Sequence, residues 1–275
     1  MRTGRRTVAV ATLVGALGLS VLNAPAAQAA DTGITVSDIV INNGKPIVVG
    51  TSKEVEPPIS FSIALPPGYS TADPLRYDAY PFLYRGSIRT AADTGENFIQ
   101  PGSYTCYEID SKRADCEGHL YIDPHPAQEH TDSNSDATAW KVGLSLSLWK
   151  ADGNPKAQEL ETRSKTAQLK RAAKATTNAS PEPVAKGKPI TVTGKLTRAN
   201  WSTKKYDGYS GRTVRLQFRA KGTDTYKTVK QATTGSTGGM KATVTASVDG
   251  SYRWVYHGNS TTGATNGAAD HIDVR

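Results

Sequence analysis

The chain has 275 residues, with 33 Lys and Arg against 25 Asp and Glu and a formal net charge of +8. An apolar fraction of 37%, with 25 glycines in addition, lies in the globular range, so a packed core is achievable and disorder is not the default. Two cysteines are too few for a disulfide-dense scaffold and, alone, make a poor zinc site.

The N-terminus reads as a targeting segment. Arg2, Arg5 and Arg6 precede an apolar and small-residue run from Val8 to Leu22, followed by Ala27-Gln28-Ala29. This order predicts a signal peptide over 1–29, cleaved after Ala29. The run is shorter than the ~20 apolar residues that span a bilayer, so no stable membrane anchor is expected. Arg5-Arg6 leaves the export route open between the general and the twin-arginine systems. A secreted, extracellular protein follows, and in that oxidising setting Cys106 and Cys116 are expected to pair. Closing so short a loop stabilises by roughly 2–4 kcal/mol.

Beyond residue 30 the pattern is period two, punctuated by turns. In the front half the runs are Ile34 to Ile41, Ile59 to Ile63, Tyr80 to Tyr84, Tyr104 to Ile109, His119 to Ile122 and Lys141 to Trp149. In the last of these Val142, Leu144, Leu146 and Leu148 fall on one face, which marks a half-buried strand. Residues 157–172 are rich in helix formers, yet Leu160 and Leu169 are too few for a packed helical face. A closing strand through Thr166 to Lys170 is the preferred reading over a helix. Past the junction come Ile190 to Thr193, Val214 to Phe218, Thr225 to Val229, Ala242 to Thr245, Tyr252 to Tyr256 and His271 to Val274. Asp207-Gly208, Gly235-Ser236 and Asp249-Gly250 break them. Short strands at this spacing predict an all-β chain of two tandem immunoglobulin-like β-sandwiches, residues 31–172 and 173–275, with the disulfide in the first. Residues 31–149 carry 8 basic and 16 acidic side chains, whereas 180–275 carry 15 and 6, so an acidic front is joined to a basic back. Gly44-Lys45-Pro46-Ile47-Val48-Val49 returns as Gly187-Lys188-Pro189-Ile190-Thr191-Val192, which reads as an echo between related sandwiches.

Asn178 to Pro183, Gly187 to Arg198, Tyr206 to Arg212 and Asp249 to Tyr252 resemble a repeated sandwich module of exported actinobacterial proteins. Gly44-Lys45-Pro46, the pair Cys106 and Cys116, Asp123-Pro124 and Trp140-Lys141-Val142 are similar to the partner domain that accompanies it. The resemblance implies this fold and export; some members carry a calcium-binding label. It brings no catalytic motif.

Two groups of residues stand out as chemistry. His119, Asp123, His125, His130 and Asp132 mix imidazole and carboxylate in a short stretch, a combination that suits zinc or copper. Asp132, Asn134 and Asp136 place oxygens on alternate residues like the first half of a calcium loop, but Ala137 replaces the turn glycine and Gly143 the closing Glu. The alternative is a solvated, Asx-rich turn. In the back half Trp201, Lys204, Lys205, Tyr206, Tyr209 and Arg212 combine rings with cations, as a site for wall glycan or anionic polymer would. The alternative is that Trp201 and Tyr209 cover the open end of the sandwich. Ser202-Thr203-Lys204-Lys205 matches S-x-x-K without its companion motifs, and no hydrolase, zinc-protease or phosphate-loop signature is present. The expected function is therefore a secreted, non-catalytic binding or adhesion module for cell-wall glycan or an anionic polymer. The alternative is a secreted calcium-, zinc- or copper-binding protein. No catalytic residue, no nucleic-acid partner and no cofactor other than calcium is expected.

Overall fold

A computed structural model describes residues 31–125 and 131–275; the signal peptide expected over 1–29 lies outside them. The first half contains β1 (Thr35–Ile41), β2 (Ile47–Val49), β3 (Pro58–Ala64), β4 (Tyr77–Tyr84), a short helix α1 (Ile88–Thr94) and β5 (Phe98–Ile99). It continues with β6 (Pro101–Glu108), β7 (Arg113–Leu120), β8 (Ala139–Trp149) and β9 (Pro155–Arg171). One sheet runs β1-β3-β7-β6 and the other β2-β9-β8-β4-β5. The chain begins on one sheet, crosses between Ile41 and Ile47, and pairs β2 in parallel with β9 on the other. That is an immunoglobulin-type sandwich.

Alternation produces these strands and a few residues bend the rule. In β8, Trp140, Val142, Leu144, Leu146 and Leu148 are buried in the main core. Gly143, on the opposite parity, is buried as well, because the Phe82 ring lies across it: a Cβ there would come within 2.6 Å of Phe82 Cζ. Phe82, Tyr84 and Ala91 form a second small core with Ile88, Phe98 and Leu160, so α1 and β5 close the outer face of this sheet. In β1 the parity slips at Asp38, whose φ is 52°, and the bulge returns Ile39 and Ile41 to the interior. Residues 157–171 are strand throughout, as part of β9.

Cys106 and Cys116 are bonded and stand opposite one another in the β6–β7 pair, with their Cα atoms 4.0 Å apart. The bridge therefore staples two neighbouring strands of one sheet rather than one sheet to the other. Sheet-to-sheet contact at that edge is made by Tyr104, whose ring lies 6.2 Å from that of Tyr80 and whose hydroxyl donates to Asp78, both on β4.

The second half contains β10 (Ala173–Ala175), β11 (Asn178–Ser180), β12 (Pro189–Asn200), β13 (Lys205–Gly208) and β14 (Thr213–Ala220). Then follow β15 (Lys227–Thr233), β16 (Gly239–Thr245), β17 (Gly250–Tyr256), β18 (Thr265–Asn266) and β19 (Asp270–Ile272). β12 is central to one sheet, with β10 and β11 along one edge and β13 and β16 along the other. The facing sheet runs β15-β14-β17, with β18 and β19 along the far side of β17. Val192, Leu196, Leu216 and Trp254 fill the space between. Tyr252, near the start of β17, packs its ring on Phe218 at 4.7 Å.

The sequence echo lies on strands of different rank. Gly44 to Val49 leads into the edge strand β2, which pairs in parallel with β9, whereas Gly187 to Val192 leads into the central strand β12. What the two copies share is local. Gly44 and Gly187 both take positive φ, 73° and 82°, and the first and third strand positions after each proline are inward or flank the inward residues Ile47, Val49, Ile190 and Val192.

Candidate functional site

The residues singled out in the sequence meet in an unexpected place. Ser133 caps the turn Asn134–Asp136, with Asp136 Oδ2 accepting from the Ser133 N–H at 2.8 Å. The turn is thereby presented to the second sandwich. Asn134 Oδ1 accepts the Trp201 N–H at 2.9 Å, and Asn134 Nδ2 donates to Asn200 Oδ1 at 2.9 Å. Lys204 Nζ donates to the Thr131 carbonyl at 3.0 Å and lies 4.0 Å from Asp132. The calcium-like half-loop is thus one jaw of a clasp between the sandwiches.

Trp201 is the other jaw. Its side chain is 0% exposed and belongs, with Ala199, to the core of the first sandwich. Its indole N–H donates to the Gly50 carbonyl at 2.9 Å. Arg171 is buried beside it, with Nε donating to the Ala199 carbonyl, and burial together with the charge of Arg198 lowers its pKa to about 10. The backbone continues the seam, since Ala199 N–H donates to Ala172 and Gly263 N–H to Arg171, each at 2.9 Å or less.

Several residues of both candidate sites have partners within the protein. Asp136 is committed to Arg85 and to the cap, and Asp123 to the His125 N–H at 2.9 Å. His119 stands on β7 beside Ser103 and 3.6 Å from Glu56. Among the described residues no group of three or more His, Cys, Asp or Glu is placed to hold a metal ion. His130 lies outside the described residues. Of the glycan list, Trp201 and Tyr209 are buried and offer no free ring face. Tyr206 is half-buried, and its ring is met by Lys174 Nζ at 3.8 Å. Arg198 and Arg212 lie over the Tyr209 ring at 4.0 and 4.7 Å. Lys205 remains exposed on β13. Rings next to cations in the sequence reflect cation–π packing at the end of the sandwich rather than an open platform.

A surface that was not singled out is more open. On β14 and β17 the outward parity carries Arg215, Gln217 and Arg219 beside Ser251 and Arg253, because the inward parity is taken by Val214, Leu216, Tyr252 and Trp254. Arg253 stands opposite Gln217 and its Nε donates to Gln217 Oε1 at 2.9 Å. Its guanidinium lies over the Tyr226 ring at 3.8 Å, and that of Arg219 is 5.1 Å from the same ring. Arg219, Lys221, Ser251 and His271 then line an adjoining hollow of about 410 Å³ behind the β14–β15 turn, with Asp224 as its carboxylate. The signal for this face was the alternation Arg215, Gln217, Arg219 itself, which reads as ordinary solvated strand until Arg253 is set next to it.

No family model and no curated protein matches the chain. Among solved structures, a marsupial T cell receptor aligns over 88% of this chain and 73% of its own at 9% identity, with a TM-score of 0.37. The D00-D0 domain of intimin aligns over 86% and 99% at 14% identity, with a TM-score of 0.25. The fibronectin(III)-like modules of Clostridium thermocellum CbhA align over 88% and 92% at 9% identity, with a TM-score of 0.28. These are loose likenesses; the strand order within each sandwich is what makes this chain an all-β, tandem immunoglobulin-like protein.

Proposed function

We propose that the protein is an exported, non-catalytic binding module whose second sandwich holds an anionic polymer of the cell surface. The observation that carries this reading is where the rings and the cations go. Every aromatic side chain of the second sandwich is buried or half-buried, and the half-buried Tyr206 and Tyr226 already have a cation against the ring. Sugar stacking therefore lacks a bare platform. The arginines of the outer sheet face, by contrast, are set side by side on a rigid support, and such an array of one sign attracts a polyanion. The Cys106–Cys116 bond, together with the signal peptide expected from the sequence, supports an extracellular setting. Among the described residues no helix is long and apolar enough to cross a membrane.

The test is retention of the mature chain on purified cell wall, before and after anionic polymers are stripped from it, at low and high salt. Retention at low salt that is lost on stripping is expected. Equal retention on stripped wall would overturn the reading in favour of a neutral glycan.

A further inference from the structure

Resting on that reading, we infer that Arg215, Arg253, Arg219 and Lys221 form one track for a phosphodiester-linked polyol chain, running along the outer sheet face and round the β14–β15 turn. Arg215 and Arg219 lie four residues apart on one strand, about 13 Å, and Arg253 stands midway on the neighbouring strand, about 4.8 Å to the side. A cation therefore recurs roughly every 8 Å along a zigzag. Each guanidinium offers a planar fork that matches the two free oxygens of a phosphodiester. Tyr226 holds Arg219 and Arg253 in place, and Gln217 fixes Arg253 through Nε alone, one of its five N–H donors.

The course of the track selects the ligand. From Arg219 it leaves the flat sheet and enters the hollow lined by Lys221, Ser251 and His271. A flexible polyol phosphate can follow that bend; a stiff chain of sugar rings cannot. Single-stranded nucleic acid carries the same phosphate but gains much of its affinity by stacking bases on exposed rings, and Tyr226 is already engaged by guanidinium. The carboxylates beside the track are Asp224 at the turn and Asp249, which lies 3.4 Å from Lys221. They make Lys221 the weakest of the four positions.

The experiment titrates the mature chain with soluble poly(glycerol phosphate), with single-stranded DNA and with a neutral glycan as comparison probes. The double variant R219Q/R253Q is compared with K195Q/K241Q, which removes the same charge from exposed positions on the other sheet of the sandwich. R219Q/R253Q is expected to weaken polyol-phosphate binding about tenfold, and K195Q/K241Q to leave it within about twofold. Lys221→Gln provides an arm that cannot disturb packing, since that side chain is 69% exposed, and a loss of about twofold is expected. Equal losses in the two double variants, or tighter binding of DNA than of poly(glycerol phosphate), would overturn the track. A wild-type chain that binds neither wall nor poly(glycerol phosphate) would instead overturn the underlying function.

Discussion

Asn134 and Trp201 meet across the two sandwiches: the Asn134 side-chain oxygen accepts the Trp201 backbone N–H at 2.9 Å, while the indole is buried in the core of the other domain. The pair makes the tandem one mechanical unit. Trp201→Ala is expected to cost about 3–5 kcal/mol, the usual range for emptying a buried indole site. Asn134→Ala leaves the Trp201 N–H without its acceptor and is expected to cost about 1–3 kcal/mol. Urea denaturation read separately by tryptophan fluorescence and far-UV circular dichroism checks this. The two probes should coincide in the wild type and separate in Trp201→Ala.

The same clasp bears on metal binding. Asp136 and Asn134 are held by a cap and by the partner domain, so their oxygens are spent on protein N–H groups. Millimolar calcium, or zinc at equal concentration, is expected to leave the melting temperature of the mature protein unchanged. A rise that Asp132→Asn abolishes would restore the metal reading.

Asp78 makes a pH-dependent contribution of defined sign. Burial raises its carboxyl pKa, partly offset by the hydrogen bond from the Tyr104 hydroxyl. The folded state therefore keeps this proton to higher pH than the unfolded chain does. Stability contributed by the group is full below the unfolded pKa and is lost as pH rises through the folded one. Asp78→Asn keeps an acceptor for Tyr104 and removes the charge. It is expected to match the wild type in acid and to exceed it at neutral pH, as measured by urea denaturation across that range. A wild-type advantage that grows with pH would contradict this.

Gly118 is required by close approach rather than by turn geometry. A Cβ there would lie 2.2 Å from the Ser103 carbonyl oxygen and 2.5 Å from Tyr104 Cβ, both on the adjoining strand. Gly118→Ala is expected to cost about 2–3 kcal/mol by forcing β6 away from β7, with a matching fall in melting temperature. An unchanged melting temperature would show that the β6 edge yields freely.

Strand positions and the two-sandwich plan were legible because a core side chain on every second residue is a local signal. Val142 to Leu148 shows it most plainly, and Gly143 shows its limit, since the burial of that position comes from Phe82 and α1. The disulfide was legible from spacing and export, but its placement between adjacent strands was not. The surroundings of the candidate residues were not legible, for one reason. Trp201, Lys204, Asp132 and Asn134 are polar or aromatic residues in loops, and loops at the end of a tandem module face either solvent or the neighbouring domain. Nothing within 67 residues of sequence separation tells which, and here they face each other. The arginine face was hidden for the converse reason: Arg219 and Arg253 are brought together by strand pairing alone.

The most direct measurement is the salt dependence of binding to poly(glycerol phosphate) by the full mature chain. Neutralising three to four phosphates predicts a logarithmic slope of about −2 to −3 against salt, shallower by about 0.7 for each arginine of the track replaced by glutamine. A slope near zero in the wild type, or one indifferent to Arg219 and Arg253, would contradict a polyanion held on the second sandwich.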